Sequence, residues 1–391
     1  MVRGIMKRMS NPFKFGSAVT GDQYYDRTID GDKLYSIIAG GSSNVVLYAP
    51  RRYGKTSLVK KVIEKWADDG FTCLYFDMMK IDSIESFCEK YASAVYAAES
   101  ATDKIIRLIG SCLSGLRPKF TVDESGKPTV ELDFTARRFS GDDLENILDL
   151  PEKVAGGKRT FVIIFDEFQE IASWSGGIPL EGVFRGCIQH HDSVRYVFLG
   201  SKTHMLQRMF SDHARPFYNS ARILHLDKPP VEESRRFVAD RFASVEITIG
   251  KETIDKVLEL SQNIPYYVQA FSSEIYETVL ARGGKKVVPE DVDTAAMSLV
   301  DMKREQYEII LEELSGAQRR LLSALAISPT DCFDEAYRQR FGLGQSSTVH
   351  GALLKLMAKG YCERLNAVYF VGDPFFAKYL TSASYEIHKN E

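Results

Sequence analysis

Five short runs, at 45–49, 71–76, 161–165, 194–199 and 222–226, are dominated by apolar, β-branched and aromatic residues without a regular alternation of polar positions. Strands read this way when both faces are covered by helices, as in a parallel sheet. Between the runs the apolar positions fall at helical spacing. After the first, Leu58, Val59, Val62, Ile63 and Trp66 recur with charged residues between them, and Gly70 marks the stop. Strands alternating with helices predict an α/β layout with a parallel, doubly wound sheet. One stretch breaks the rhythm. Residues 119–122 and 129–134 read as two strands joined by Asp-Glu-Ser-Gly-Lys-Pro, a hairpin inserted before the third core strand.

After Pro229-Pro230 the pattern turns helical, over about 232–314, which reads as a helical lid. From Ser315 a third pattern starts, with helices at 318–327, near 334–341 and at 346–359. Two short strands follow, at 361–365 and 368–371, turning at Asn366-Ala367. Three helices and a small hairpin predict a winged helix-turn-helix. The expected domains are therefore 1–229, with the hairpin insertion, 230–314 and 315–391. A chain of 391 residues is indeed too long for one ordinary domain.

Composition adds exclusions. With 44% hydrophobic and 26% charged residues the chain reads as an ordinary soluble protein. A net charge of -3 supplies no global attraction to nucleic acid, so any such contact needs a local patch. The six cysteines form no CxxC pair and no histidine stands at zinc-finger spacing from them, which points to reduced core thiols. Arg3, Lys7 and Arg8 are not followed by an apolar stretch of signal-peptide length, and no segment approaches the ~18–20 apolar residues a membrane span requires. A cytoplasmic location without a membrane partner is expected.

Candidate chemistry lies at the ends of the strands. Ala49-Pro50-Arg51-Arg52-Tyr53-Gly54-Lys55-Thr56 fits GxxxxGK[ST] except that alanine replaces the first glycine, and it follows a strand and opens an amphipathic helix. Backbone N–H groups from Tyr48 to Ser57 and the helix N-terminus would present partial positive charge to phosphate oxygens. Gly54 would let the backbone approach closely, Lys55 would reach the β- and γ-phosphates, and the Thr56 hydroxyl would hold Mg²⁺. The run 161–165 ends in Asp166-Glu167. A buried strand finishes in two carboxylates where its end meets a cation or solvent. Asp166 would bind Mg²⁺, directly or through water, and Glu167 would polarise the attacking water as general base. The run 194–199 ends in Gly200-Ser201, and ligands sit at the carboxyl ends of parallel strands. Ser201 is either a sensor of the γ-phosphate or the water, or a turn serine.

Several motifs together resemble the archaeal-type AAA+ ATPases, a group similar to the origin-recognition and STAND signalling ATPases. They are Asn11-Pro12-Phe13, Val19-x-Gly21-x-x-Tyr24-x-x-Arg27, the block from Pro50 to Leu58, Asp166-Glu167-Phe168-Gln169 and Gly200-Ser201. Ile264-Pro265-Tyr266-Tyr267 and the terminal Asp373-Pro374-Phe375-Phe376 also fit. The resemblance covers nearly the whole chain. It implies an ATP-binding P-loop domain with Mg²⁺ as cofactor. It places Val19, Tyr24 and Arg27 beside the adenine and ribose, and makes Pro265 the lid proline that closes over the nucleotide. Such ATPases often carry an arginine after the fourth strand; here Ser220 stands at that place, flanked by Arg215 and Arg222. Arg222 is the substitute the sequence offers, and without an arginine finger hydrolysis is expected to be slow.

The winged helix bears on partners. In 346–359 Val349, Leu353 and Leu356 form the apolar stripe, while Ser347, Thr348, His350, Lys355 and Lys359 lie on the other face. Residues 315–391 hold nine Lys/Arg against seven Asp/Glu, a net of +2 and a weak electrostatic footprint for duplex DNA. Three readings stay open: an ATP-hydrolysing switch moving between ATP and ADP states, a DNA-binding ATPase of the origin-recognition or helicase-loader kind, and a nucleotide-binding scaffold. A protein partner or self-association is compatible with each.

Overall fold

Where the apolar runs pair decides the fold. The computed structural model describes residues 10–16, 27–41, 43–98, 103–135, 138–174, 179–201, 203–365 and 367–382. Val19, Tyr24 and the turn residue Asn366 lie outside them. The chain divides into two units, one from 27 to 227 and one that joins the N-terminal stretch to 228–391.

The first unit runs α1 (Thr28–Ala39), β1 (Val45–Tyr48), α2 (Lys55–Asp68), β2 (Thr72–Asp77), α3 (Ile84–Ala97), α4 (Asp103–Cys112), β3 (Lys119–Val122), β4 (Pro128–Glu131), α5 (Gly141–Leu148), α6 (Leu150–Ala155), β5 (Phe161–Asp166), α7 (Leu180–Ile188), β6 (Val194–Gly200), α8 (Thr203–Ser211) and β7 (Arg222–His225). Five strands form a parallel sheet in the order β2-β5-β6-β1-β7. The chain leaves β1 for the far edge, returns strand by strand and finishes on the other side of β1. Every residue of β5 is buried, which explains its unbroken apolar run.

One face of the sheet is aromatic. Phe76, Phe165, Tyr196 and Phe198 pack with Phe87, Tyr91, Phe168, Phe184, Phe210 and Phe217 in a single core cluster. Phe165 is stacked on Tyr196 with centroids 6.2 Å apart and on Phe198 at 6.0 Å. The inserted hairpin β3–β4 lies against α3. Val130 N–H donates to Ser93 Oγ at 2.8 Å and Leu132 N–H to Glu89 Oε1 at 3.1 Å, so helix side chains satisfy a strand edge. That diversion ends β4 at Glu131, short of the 134 expected from sequence.

The second unit holds α9 (Val231–Ala243), α10 (Lys251–Leu260), α11 (Pro265–Ala281), α12 (Pro289–Met302), α13 (Arg304–Glu312), α14 (Gly316–Ile327), α15 (Glu335–Arg340), α16 (Ser346–Ala358), β8 (Cys362–Leu365), β9 (Val368–Val371) and α17 (Pro374–Thr381). The lid and the winged helix, expected as separate domains, pack together here. Asp373 caps α17 by accepting from Phe375 N–H at 2.9 Å and Phe376 N–H at 3.3 Å. The cap sends Phe375 against Phe271 (5.4 Å) and Phe376 onto Tyr307 (4.6 Å, stacked). Asn11 and Phe13, expected with the ATPase domain, also belong to this unit. Asn11 Nδ2 donates to Ser273 Oγ at 2.9 Å, and Phe13 packs on Phe242 at 4.9 Å. Among the described residues no helix is long and apolar enough to cross a membrane.

Candidate functional site

The strand-to-helix turn after β1 is built on two left-handed residues, Arg52 (φ 71°) and Gly54 (φ 89°), the second serving as N-cap of α2. At Gly54 an added Cβ would meet nothing within 4 Å, so glycine answers a backbone requirement there and leaves open space over the helix N-terminus. Ala49 is buried at the end of β1, as β1's continuation demands. Lys55 is also buried, and its ammonium donates to the carbonyls of Ala49 (2.8 Å) and Pro50 (3.1 Å). A desolvated cation at a helix N-terminus makes a strong seat for an anion. Arg51 and Arg52 are exposed, Tyr53 is buried, and Thr56 and Ser57 are half-buried on the first turn of α2.

The acidic half meets this turn directly. Thr56 Oγ1 donates to Asp166 Oδ2 at 2.8 Å across 110 residues of sequence. The Tyr75 hydroxyl donates to the same oxygen. The other carboxylate oxygen, Oδ1, accepts the Glu167 N–H at 3.0 Å. Burial, with the Asp166 charge added, pushes the Tyr75 phenol well above its ordinary range.

Glu167 leaves the strand in a left-handed conformation (φ 54°) and turns back to β6. Its Oε2 accepts from Gln169 Nε2 (2.6 Å), Ser201 N–H (3.1 Å) and Ser201 Oγ (2.9 Å). Burial alone would raise this carboxyl's pKa. Hydrogen bonds from Gln169 and Ser201, with the Lys55 charge, outweigh burial and hold it below the usual range. A depressed pKa keeps Glu167 ionised. Gly200 is required by packing: a Cβ there would strike Gln169 Oε1 and come within 2.8 Å of Leu206 Cδ2.

The donor set fits magnesium. A hydroxyl and a carboxylate 2.8 Å apart are hard oxygen ligands, and Mg²⁺ takes one or two such groups plus water and phosphate oxygens. Among the described residues no group of three or more His, Cys, Asp or Glu could hold a metal unaided.

Arg27 is buried and braces the loop: it donates to Tyr53 O at 3.1 Å, Asp227 O at 2.7 Å and Asp30 Oδ2 at 3.1 Å. Arg222 opens β7 opposite Val45, three rungs below the Tyr48–His225 pair. It therefore stands at the opposite rim of the sheet from the phosphate turn, about 10 Å of strand from the Tyr48–His225 rung. Ser220, at the place of the family arginine, closes its own turn on Phe217 O at 2.7 Å, and Arg215 pairs with Glu181. Pro265 is the first residue of α11 in the second unit. Sequence reading gave no role to Tyr75 or to the Gln169 side chain. A signal for Tyr75 existed: with β2 beside β5, a tyrosine two residues before Asp77 lies diagonal to Asp166.

A phosphate-binding turn at the carboxyl end of β1, leading into a helix N-terminus and facing an acid pair at the end of β5, defines a P-loop nucleoside triphosphatase fold. The family model for ATPase domains predominantly from Archaea matches residues 24–271, more than half of the chain, and the protein belongs to that family. A model for a probable winged helix domain matches residues 305–382. Among solved structures, a Walker-type ATPase of Pyrococcus abyssi is similar at 17% identity and a TM-score of 0.65, covering 95% of this chain and 100% of its own. The ORC2 protein of Aeropyrum pernix, in its ADPNP-ADP complexes, is similar at 14% identity and a TM-score of 0.56, over 97% of this chain and 98% of its own. No curated protein matches the sequence.

Proposed function

We propose that the chain binds ATP with Mg²⁺, hydrolyses it slowly, and acts as a molecular switch whose nucleotide state governs the lid and the winged helix. The observation that carries this reading is the Thr56–Asp166 hydrogen bond, which joins the phosphate turn to the acidic strand end at a distance that suits a shared cation. Lys55 and the loop amides bind the phosphates. Thr56 and Asp166 hold the magnesium, which when bound screens phosphate charge and orients the triphosphate. Glu167 takes the proton of the attacking water, and Ser201 holds that carboxylate in place.

The slow rate follows from the missing arginine: Ser220 bonds its own turn and Arg222 lies at the far rim. Full-length protein should bind ATP, and Lys55→Ala should abolish binding. Glu167→Gln should keep binding and slow phosphate release by ~10²–10⁴-fold. Equal background-level release by wild type and Glu167→Gln would leave a nucleotide-binding scaffold instead. A second reading, duplex-DNA binding through the winged helix, draws support from Arg319, Arg320, Lys355 and Arg364, which are exposed on that domain. Against it, Lys359 is paired with Glu313 and Leu354 lies exposed on α16.

A further inference from the structure

The phosphate-loop pattern does not call for a residue from β2, yet β2 supplies one. In the parallel ladder Tyr75 pairs with Ile164 and Asp77 with Asp166. Alternation puts Tyr75, Ile164 and Asp166 on one face, opposite the aromatic core that takes Leu74, Phe76 and Phe165. Tyr75 is thus the diagonal neighbour of Asp166, and a phenol is long enough to close that gap. Its hydroxyl donates to Asp166 Oδ2, the oxygen that also accepts from Thr56 Oγ1 at 2.8 Å. Lys60 of α2 stands over the tyrosine ring, its Nζ 5.8 Å from the centroid. With Glu167 N–H on Oδ1 at 3.0 Å, both carboxylate oxygens are engaged and the plane of the group is fixed.

We infer that Tyr75 is a positioning residue for the magnesium half of the site, holding the Asp166 carboxylate with both oxygens hydrogen-bonded and thereby favouring a small, strongly hydrated cation over a larger one. The inference rests on the ATPase reading above. A carboxylate whose two oxygens already accept hydrogen bonds is poorly disposed to chelate an ion with both. Mg²⁺ keeps its waters and tolerates this, whereas Ca²⁺ gains from direct, two-oxygen contact. Removing the phenolic hydroxyl frees a lone pair on Oδ2 and lets the carboxylate turn. Outer partners of this kind alter metal affinity or activity by about 10- to 100-fold when removed.

The test is Tyr75→Phe in the full chain, which keeps the ring. Affinity for a fluorescent ATP analogue is measured in EDTA and across Mg²⁺ and Ca²⁺ titrations, beside the thermal melt. The expected result is unchanged affinity in EDTA and an unchanged melt, a roughly 10-fold rise in the Mg²⁺ needed for tight binding, and a lower Mg²⁺/Ca²⁺ preference. In turnover, kcat should fall at saturating Mg²⁺ while KM for ATP holds. An unchanged Mg²⁺ requirement and ion preference overturn the inference and leave the ATPase reading standing. Weaker binding in EDTA with a lowered melt also overturns it, since that marks a structural residue. Failure of the wild type to bind the analogue at all overturns both.

Discussion

Glu167 shows how single side chains set the chemistry. Its Oε2 accepts three hydrogen bonds, two of them from Ser201. These contacts outweigh burial and lower its pKa. A carboxyl whose folded pKa lies below its unfolded value contributes stability that is present above the unfolded value, about 4.3, and is lost as pH falls through the folded one. Acidification below that range should therefore destabilise the wild type more steeply than Glu167→Gln, measured by denaturant unfolding at a series of pH values. Ser201→Ala should reduce the difference; parallel pH slopes in all three proteins would refute it. The carboxylate pair was legible in the sequence because a buried run ended in two acids. Its partners were not, because Ser201 and Tyr75 come from strands 34 and 91 residues distant and only the sheet brings them together.

At the scale of elements, the strands and the winged-helix pieces followed their sequence patterns to within a few residues, because period and length distinguish them. Two junctions did not. The hairpin's second strand stops at Glu131 because Glu89 of α3 takes the next amide, a competition that the hairpin sequence does not reveal. The Asn11-Phe13 segment docks on α9 and α11 rather than on the ATPase sheet. Phe13 is 4% exposed and lies between Phe237 and Phe242. Phe13→Ala should therefore cost about 3 kcal/mol, the low end for a buried phenylalanine because a terminal strap can shift to fill the gap. Chemical denaturation should show the loss, and a change under about 0.5 kcal/mol, the scale of a surface substitution, would mean the strap contributes little.

For the whole molecule, the switch reading requires that ATP and ADP favour different arrangements, since a ligand shifts an equilibrium only by its differential affinity for the two states. Limited proteolysis in saturating ATP and in ADP should give distinct digestion patterns, and identical patterns would count heavily against a switch. If the winged helix engages duplex DNA, a mobility shift should weaken between about 50 and 200 mM salt. Residues 315–391 carry a net of only +2, so the salt dependence should be shallow compared with a dedicated DNA-binding domain.

The chain by itself determined which segments become strands and helices and where a P-loop turn and an acid pair lie, since those are properties of period, turn chemistry and neighbouring residues. Tertiary structure alone decided which residues meet. It set the strand order β2-β5-β6-β1-β7 that brings Thr56 to Asp166, put Tyr75 on the same carboxylate oxygen, made Arg27 a brace for the loop and moved Arg222 to the opposite rim. Sequence separation carries no distance once strands cross over, so those partnerships exist only in the folded sheet.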